Sequence, residues 1–131
     1  MIVLDASLAV ELLLQTPRVA PLTETLLATH EDLHAPHLID VEVLQVLRRL
    51  NARRELSGRR AAEGTRDLTD LPVIRHPHEL LLDRAWELRA NLTIYDGVYV
   101  ALAELLDAPL WTLDQRLASA PGLRAEVHLI R

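Results

Sequence analysis

The feature that most constrains this chain is its alternation of short apolar runs with longer stretches of helical spacing. Ile2-Val3-Leu4, Leu33-His34-Ala35, Pro72–Arg75, Leu110–Leu113 and Val127–Ile130 each have the length and apolar character of a buried strand. Between them lie segments with helical periodicity: Leu8–Leu14, about Val19–His30, Leu38–Arg54, Gly58–Leu71, Glu79–Ala90 and Tyr95–Leu106. Thr16-Pro17-Arg18, Ala108-Pro109 and Pro121-Gly122 punctuate the pattern. Strands that alternate with helices join through right-handed crossovers, which build a parallel sheet covered on both faces. The expectation is a single α/β domain over residues 1–131, with a central parallel sheet of about five strands. No internal repeat, low-complexity segment or linker interrupts it.

Composition excludes whole classes of chemistry. All 14 basic residues are Arg and none is Lys, which removes P-loop NTPases and Schiff-base enzymes. The only glycines are Gly58, Gly64, Gly97 and Gly122, too dispersed for a dinucleotide-binding loop. With no Cys there is neither a disulfide nor a thiolate metal site. The net charge of −5 argues against nucleic-acid binding by bulk positive charge, but not against an acidic nuclease centre. The chain enters its first strand directly, and no apolar run is long enough to span a membrane, so a cytoplasmic protein without membrane contact is expected.

Acids fall where ligands bind in such folds, at the C-terminal ends of the strands. Asp5 closes the first strand, at the turn into a helix for which Ser7 is the expected N-cap. On the long helix Ile39, Val43, Val46, Leu47 and Leu50 make one apolar stripe, and Glu42 lies at its border, half-buried and able to reach the strand ends. Asp40, on the other border, reads as a first-turn acid that favours the helix N-terminus. Asp96 opens an almost wholly apolar helix, and Asp114 directly follows the fourth strand. Each acid taken singly has an ordinary role: Glu42 as a solvated edge residue, the others as caps, turn residues or dipole partners. Four acids directed to one sheet edge repel one another, and a hard divalent cation with oxygen ligands removes the conflict. Mg²⁺ or Mn²⁺ suits such a site, where it would lower the pKa of a bound water and clamp a phosphate. Ser7 and Thr112 offer hydroxyls that could orient a carboxylate or a water, although N-capping and core hydrogen bonding account for them as well.

With these residues placed, the chain resembles the PIN-domain ribonucleases of the VapC type, the toxin half of type II toxin–antitoxin pairs. Four motifs carry the resemblance over nearly the whole length: Ile2-Val3-Leu4-Asp5-Ala6-Ser7; Pro36-His37-Leu38 through Glu42-Val43 to Leu47-Arg48-Arg49; Leu92-Thr93-Ile94-Tyr95-Asp96 with Tyr99–Ala103; and Pro109–Asp114 with Arg116-Leu117. The resemblance implies strand order 3-2-1-4-5, a homodimer, and Mg²⁺- or Mn²⁺-dependent endoribonuclease activity. It implies Asp5, Glu42, Asp96 and Asp114 as metal ligands and catalytic acids, with Ser7 in support. Two departures stand out: Gln45 where many relatives carry Asn, and Gly97 where Ala is commoner. By the same resemblance the partners are a cognate VapB-like antitoxin, whose C-terminal segment would cross the acidic groove, and an RNA substrate such as tRNA or rRNA.

Arg48, Arg49, Arg53, Arg54, Arg59 and Arg60 form the one basic cluster. Arg49 and Arg53 share the Glu42 face, roughly 10 to 16 Å along the helix axis, a reach suited to flanking phosphates. The competing reading is a solvated face balanced by Glu55 and Glu63. Arg116, beside Asp114, is a second RNA-binding candidate. Trp86, Tyr95, Tyr99 and Trp111 are too few for an extended base-stacking platform. Ala35-Pro36 breaks any helix that could align His30, His34 and His37 as zinc ligands, so the histidines are expected on the surface or in loops. Two rival functions remain: a non-catalytic PIN-like module that binds RNA or protein, and a small-molecule phosphohydrolase, disfavoured by the missing Lys.

Overall fold

The computed structural model describes residues 1–131, the side chain of Leu27 excepted. β1 (Ile2–Leu4) sits at the centre of a five-stranded sheet of order β3-β2-β1-β4-β5. Its neighbours are β2 (Leu33–Pro36) and β4 (Leu110–Thr112); β3 (Val73–His76) and β5 (Val127–Leu129) form the edges. Every pairing is parallel. Successive side chains of β1 point to opposite faces, and Ile2, Val3 and Leu4 are all buried, so both faces of the sheet are covered. The expected fold class and strand order are therefore present.

The covering helices are α1 (Ala6–Leu14), α2 (Ala20–Thr29), α3 (Leu38–Ala52), α4 (Gly58–Asp70), α5 (Leu82–Glu87), α6 (Ile94–Leu106) and α7 (Gln115–Ala118). α1, α3 and α4 pack on one another, and α5 packs on α6. Gly97 permits that second contact: a Cβ there would stand 3.2 Å from Ala85 Cα and 3.4 Å from Ala85 O. Among the described residues, no helix is long and apolar enough to cross a membrane.

Local differences from the sequence reading have physical causes. The helix expected over Glu79–Ala90 splits into a 3-10 turn, Glu79–Leu81, followed by the short α5. The N-cap of α1 is Asp5, whose side chain accepts from the Leu8 N–H, and not Ser7, because the strand passes into the helix without a spacer. Asp40 is not only a first-turn acid. Arg75 Nε donates to both Asp40 carboxylate oxygens at 2.9 Å, while the same guanidinium donates to the Leu68 carbonyl at 2.8 Å, closing the end of α4. His34 is neither a surface nor a loop residue: it is buried in β2, with Nδ1 hydrogen-bonded to His76 Nε2 at 2.8 Å.

Candidate active site

Parallel strands end together, so the turns after β1 and β4 open on the same edge of the sheet. Asp5 follows β1 and Asp114 follows β4, and the register places Leu4 beside Trp111. α3 brings Glu42 from its second turn, and α6 brings Asp96 from its first, where Thr93 is the N-cap. Asp5, Glu42, Asp96 and Asp114 line one cleft together with Ser7, Gln45, Arg49 and Tyr99. The four acids expected at one sheet edge thus line the same cleft. Among the described residues, no three of their side chains converge as a metal-ligating cluster.

Asp5 is the most tightly held. Its side chain is buried at 7 % exposure and accepts from the Ser7 hydroxyl at 2.6 Å, the Leu8 N–H at 3.2 Å and the Thr112 hydroxyl. Ser7 Oγ in turn accepts from the Leu113 N–H at 3.2 Å, and Thr112 Oγ1 from the Asp114 N–H at 3.0 Å. Two hydroxyls therefore staple the end of β1 to the end of β4, and both Asp5 oxygens have a fixed direction. Thr112, fully buried, does make a core hydrogen bond, but its acceptor is the carboxylate at the centre of the cleft.

The electrostatics separate three acids from the fourth. Burial pushes the Asp5 carboxyl up against the hydrogen bonds that favour its ionised form, and the charge of Asp96 adds to the rise. Burial also raises Glu42; the Tyr99 hydroxyl opposes this, while Asp96 and Asp5 reinforce it. Asp96 rises through burial and then through repulsion from Asp114. Asp114 goes the other way: burial is outweighed by hydrogen bonds from the Arg116 side chain and backbone, with Arg116 Nη2 3.0 Å from Oδ2.

Tyr99 is the residue the sequence reading did not assign to the cleft. It lies one turn after Asp96 on α6, and a phenol on the apolar side of that helix, where its hydroxyl needs a polar neighbour, is the available signal; Tyr95, the other phenol of α6, is exposed. Its hydroxyl lies near Glu42, and burial, then the Glu42 charge, pushes its pKa up. Neither the Tyr99 hydroxyl nor Glu42 Oε1 has a hydrogen-bond partner, although both are buried. An orphaned buried carboxylate oxygen is costly unless something else satisfies it. Together with an all-oxygen donor set, it fits a hard divalent cation such as Mg²⁺ or Mn²⁺.

The arginines divide. Arg49 lines the acidic cleft, whereas Arg53, the C-cap of α3, is exposed beyond it. Arg116 lies at the mouth, paired with Asp114. Arg60 donates to the Leu13 carbonyl at 2.9 Å and pairs with Glu63, so it ties α4 to α1.

The PIN domain family profile matches residues 2–123. The chain is 44 % identical over 130 residues to Ribonuclease VapC12 of Mycobacterium tuberculosis, covering 99 % of each chain. It is 46 % identical over 133 residues to Ribonuclease VapC9 of the same organism, covering 99 % of this chain and 98 % of that one. In fold it is similar to the crystal structure of the M. tuberculosis sarcin-ricin loop cleaving toxin VapC20, with a TM-score of 0.66, 15 % identity and coverage of 91 % and 94 %. A matching profile, full-length relatives and the shared sheet order place this chain in the PIN-domain family, among the VapC ribonucleases.

Proposed function

We propose that this chain, as one PIN domain over residues 1–131, is a metal-dependent endoribonuclease and the toxin of a toxin–antitoxin pair. The observation that carries the reading is the cleft in which Asp5, Glu42 and Asp96, from three separate elements, face one another with raised pKa values. Such an arrangement is unfavourable for a fold that has no use for it, and it suits a site that holds Mg²⁺ or Mn²⁺. Asp5, Glu42 and Asp96 are assigned as the principal ligands. Asp114 completes the set from the mouth of the cleft, in competition with Arg116.

When bound, the cation would supply a water of lowered pKa and stabilise charge developing on the scissile phosphate. The chain's own residues do the rest. Ser7 and Thr112 fix the two oxygens of Asp5. Tyr99 keeps a donor beside Glu42, and Glu42, with its raised pKa, is suited to take a proton from the attacking water. Arg49 lines the cleft, Arg116 lines the adjoining pocket that shares Asp96 with it, and both would contact phosphates of the RNA; Arg53 lies further out on the helix that carries Arg49.

The partners follow from the same reading. A VapB-like antitoxin would cover the acidic cleft, and the toxin would act in the cytoplasm as a homodimer on structured RNA such as tRNA or rRNA. Exposed apolar side chains at Val41 and Leu44 on α3, and at Leu80 and Leu82 before and within α5, support partner surfaces of this kind.

The test is cleavage of defined tRNAs and ribosomal stem-loops by antitoxin-free protein with Mg²⁺ or Mn²⁺, with EDTA, and as Asp5→Asn. Discrete cuts that require the metal and Asp5 are expected. Folded protein that binds RNA without cutting it would instead identify a non-catalytic module.

A further inference from the structure

A second pocket adjoins the carboxylate cleft and shares one wall with it. Asp96 lines both; the second is otherwise bounded by the turn from Arg89 to Thr93 and by Arg116 and Leu117 at α7. Two guanidinium groups therefore face a depression that opens directly beside the proposed catalytic acids. Nothing about the packing of the sheet requires this arrangement, because Arg89 and Arg116 are both exposed.

Arg89 is unusual among the surface arginines of this chain. Its guanidinium lies over the Trp86 ring, 4.5 Å from the centroid, and Nη1 donates to the Trp86 carbonyl at 3.0 Å. Among the described residues, no acid stands within ion-pair distance of it. Other exposed arginines also lack a carboxylate partner; what sets Arg89 apart is that, among the described residues, it is the arginine stacked on an aromatic ring. A long cationic side chain loses rotamer freedom when held in one place. Stacking and one hydrogen bond hold this one, yet most of its five N–H donors are left without a protein acceptor. A planar fork held rigid and unpaired is suited to a phosphate.

Arg116 extends the same field. It holds Asp114, and its charge also acts on Asp96, where it opposes the rise caused by burial. It therefore lies between the acids and the pocket. Asn91 lines the pocket as well, with Nδ2 bound to the Pro121 carbonyl at 3.2 Å. Arg116 is shared between Asp114 and the pocket, whereas Arg89 has no carboxylate partner, so Arg89 is the free cation of the pocket, next to a cleft that is net negative without its metal.

We propose that the pocket between the Arg89–Thr93 turn and α7 is a nucleotide subsite, in which Arg89 and Arg116 bind an RNA phosphate next to the one that is cleaved. The proposal rests on the ribonuclease reading above. It gives the substrate strand a path: past Asp96, out of the carboxylate cleft and over the 89–93 turn. Phosphate contacts set position rather than sequence, so the subsite fixes which linkage is presented to the acids.

Arg89 is the residue to test, because replacing Arg116 also disturbs Asp114. A short RNA that the wild-type chain cuts is made with one charge-neutral methylphosphonate linkage at a time, leaving the cleaved linkage intact. kcat/KM is measured for wild type and Arg89→Ala. Neutralising one linkage adjacent to the cut is expected to lower the wild-type value about tenfold. Arg89→Ala is expected to be lower on unmodified RNA by several-fold, and to be markedly less sensitive than wild type to that linkage alone, Arg116 retaining the remainder. The slope of log binding constant against log salt is expected to be shallower by about 0.7 in the variant. Equal sensitivity of both proteins at every linkage, or an unchanged salt slope, overturns the subsite while leaving the nuclease intact. Wild-type protein that cuts no RNA with either metal overturns both.

Discussion

Thr112 offers a sharp test of how the centre is held. Its hydroxyl donates to Asp5 Oδ2 and accepts from the Asp114 N–H, in a position with no exposure. Thr112→Val keeps the shape and removes both bonds. A hydrogen bond to an ionised group contributes about 1.5–3 kcal/mol, and leaving its partner buried and unsatisfied adds to the loss. We expect a cost of about 2–3 kcal/mol at neutral pH, equivalent to roughly 6–15 °C in melting temperature for a domain of this size. In an Asp5→Asn background the acceptor is neutral, and the same substitution should cost only about 1 kcal/mol. The coupling of about 1–2 kcal/mol is the quantity to measure, by thermal or urea unfolding of the four proteins in EDTA. The pH dependence has a definite sign. Thr112 lowers the Asp5 pKa against burial, so its removal raises a pKa that already lies above the ordinary value of 3.8. The folded state then binds more protons than the unfolded chain, and stability falls more steeply as pH rises above the ordinary carboxylate range. Equal costs of Thr112→Val in both backgrounds would show that the hydroxyl stabilises the strand end and not the carboxylate.

Further expectations concern the acids and the scaffold. Asp5→Asn, Glu42→Gln and Asp96→Asn should each reduce RNA cleavage by about 100-fold or more, and Asp114→Asn by about tenfold, in single-turnover assays. In EDTA, Glu42→Gln and Asp96→Asn should melt higher than wild type, because each removes a charge whose pKa burial has raised. For the same reason the metal-free wild type should lose stability as pH rises above the ordinary carboxylate range, and Asp5→Asn should lose less; melting curves from acid to neutral pH decide this. Mg²⁺ or Mn²⁺ at about 100 times its dissociation constant should stabilise the wild type by about 2.7 kcal/mol and Asp5→Asn far less, as read by calorimetry. Arg75→Met should cost about 2–3 kcal/mol in urea unfolding, since it leaves Asp40 and the α4 carbonyls without their donor.

Much of the architecture was legible because periodicity is local information. Ile2-Val3-Leu4 reads as a buried strand and the stripe from Ile39 to Leu50 as a half-buried helix, so the alternation of elements and the parallel sheet are expected from hydrophobic spacing and its punctuation. Asp5 and Asp114 were legible as strand-end acids for the same reason: a carboxylate directly after an apolar run must stand at the sheet edge. Glu42 and Asp96 came from helix geometry, as early-turn acids beside an apolar stripe. The strand order was not in the spacing; it came from the four motifs taken together.

What the tertiary structure alone decided depends on which distant residues become neighbours. Thr112 lies over a hundred positions from Asp5, and nothing in its local pattern distinguishes a hydroxyl that packs from one that orients a carboxylate. Tyr99 reads as core until Glu42 is seen beside its hydroxyl. His34 is buried because β3 brings His76 to its ring, and Arg89 comes to share a pocket with Arg116 only because α7 packs beside the turn that carries it. The sequence by itself determined which elements form and that acids crowd one edge, since these follow from the period of burial and the chemistry of each residue. Only the fold decided which of those acids are held, raised or paired, because hydrogen bonding, desolvation and repulsion act through space and not along the chain.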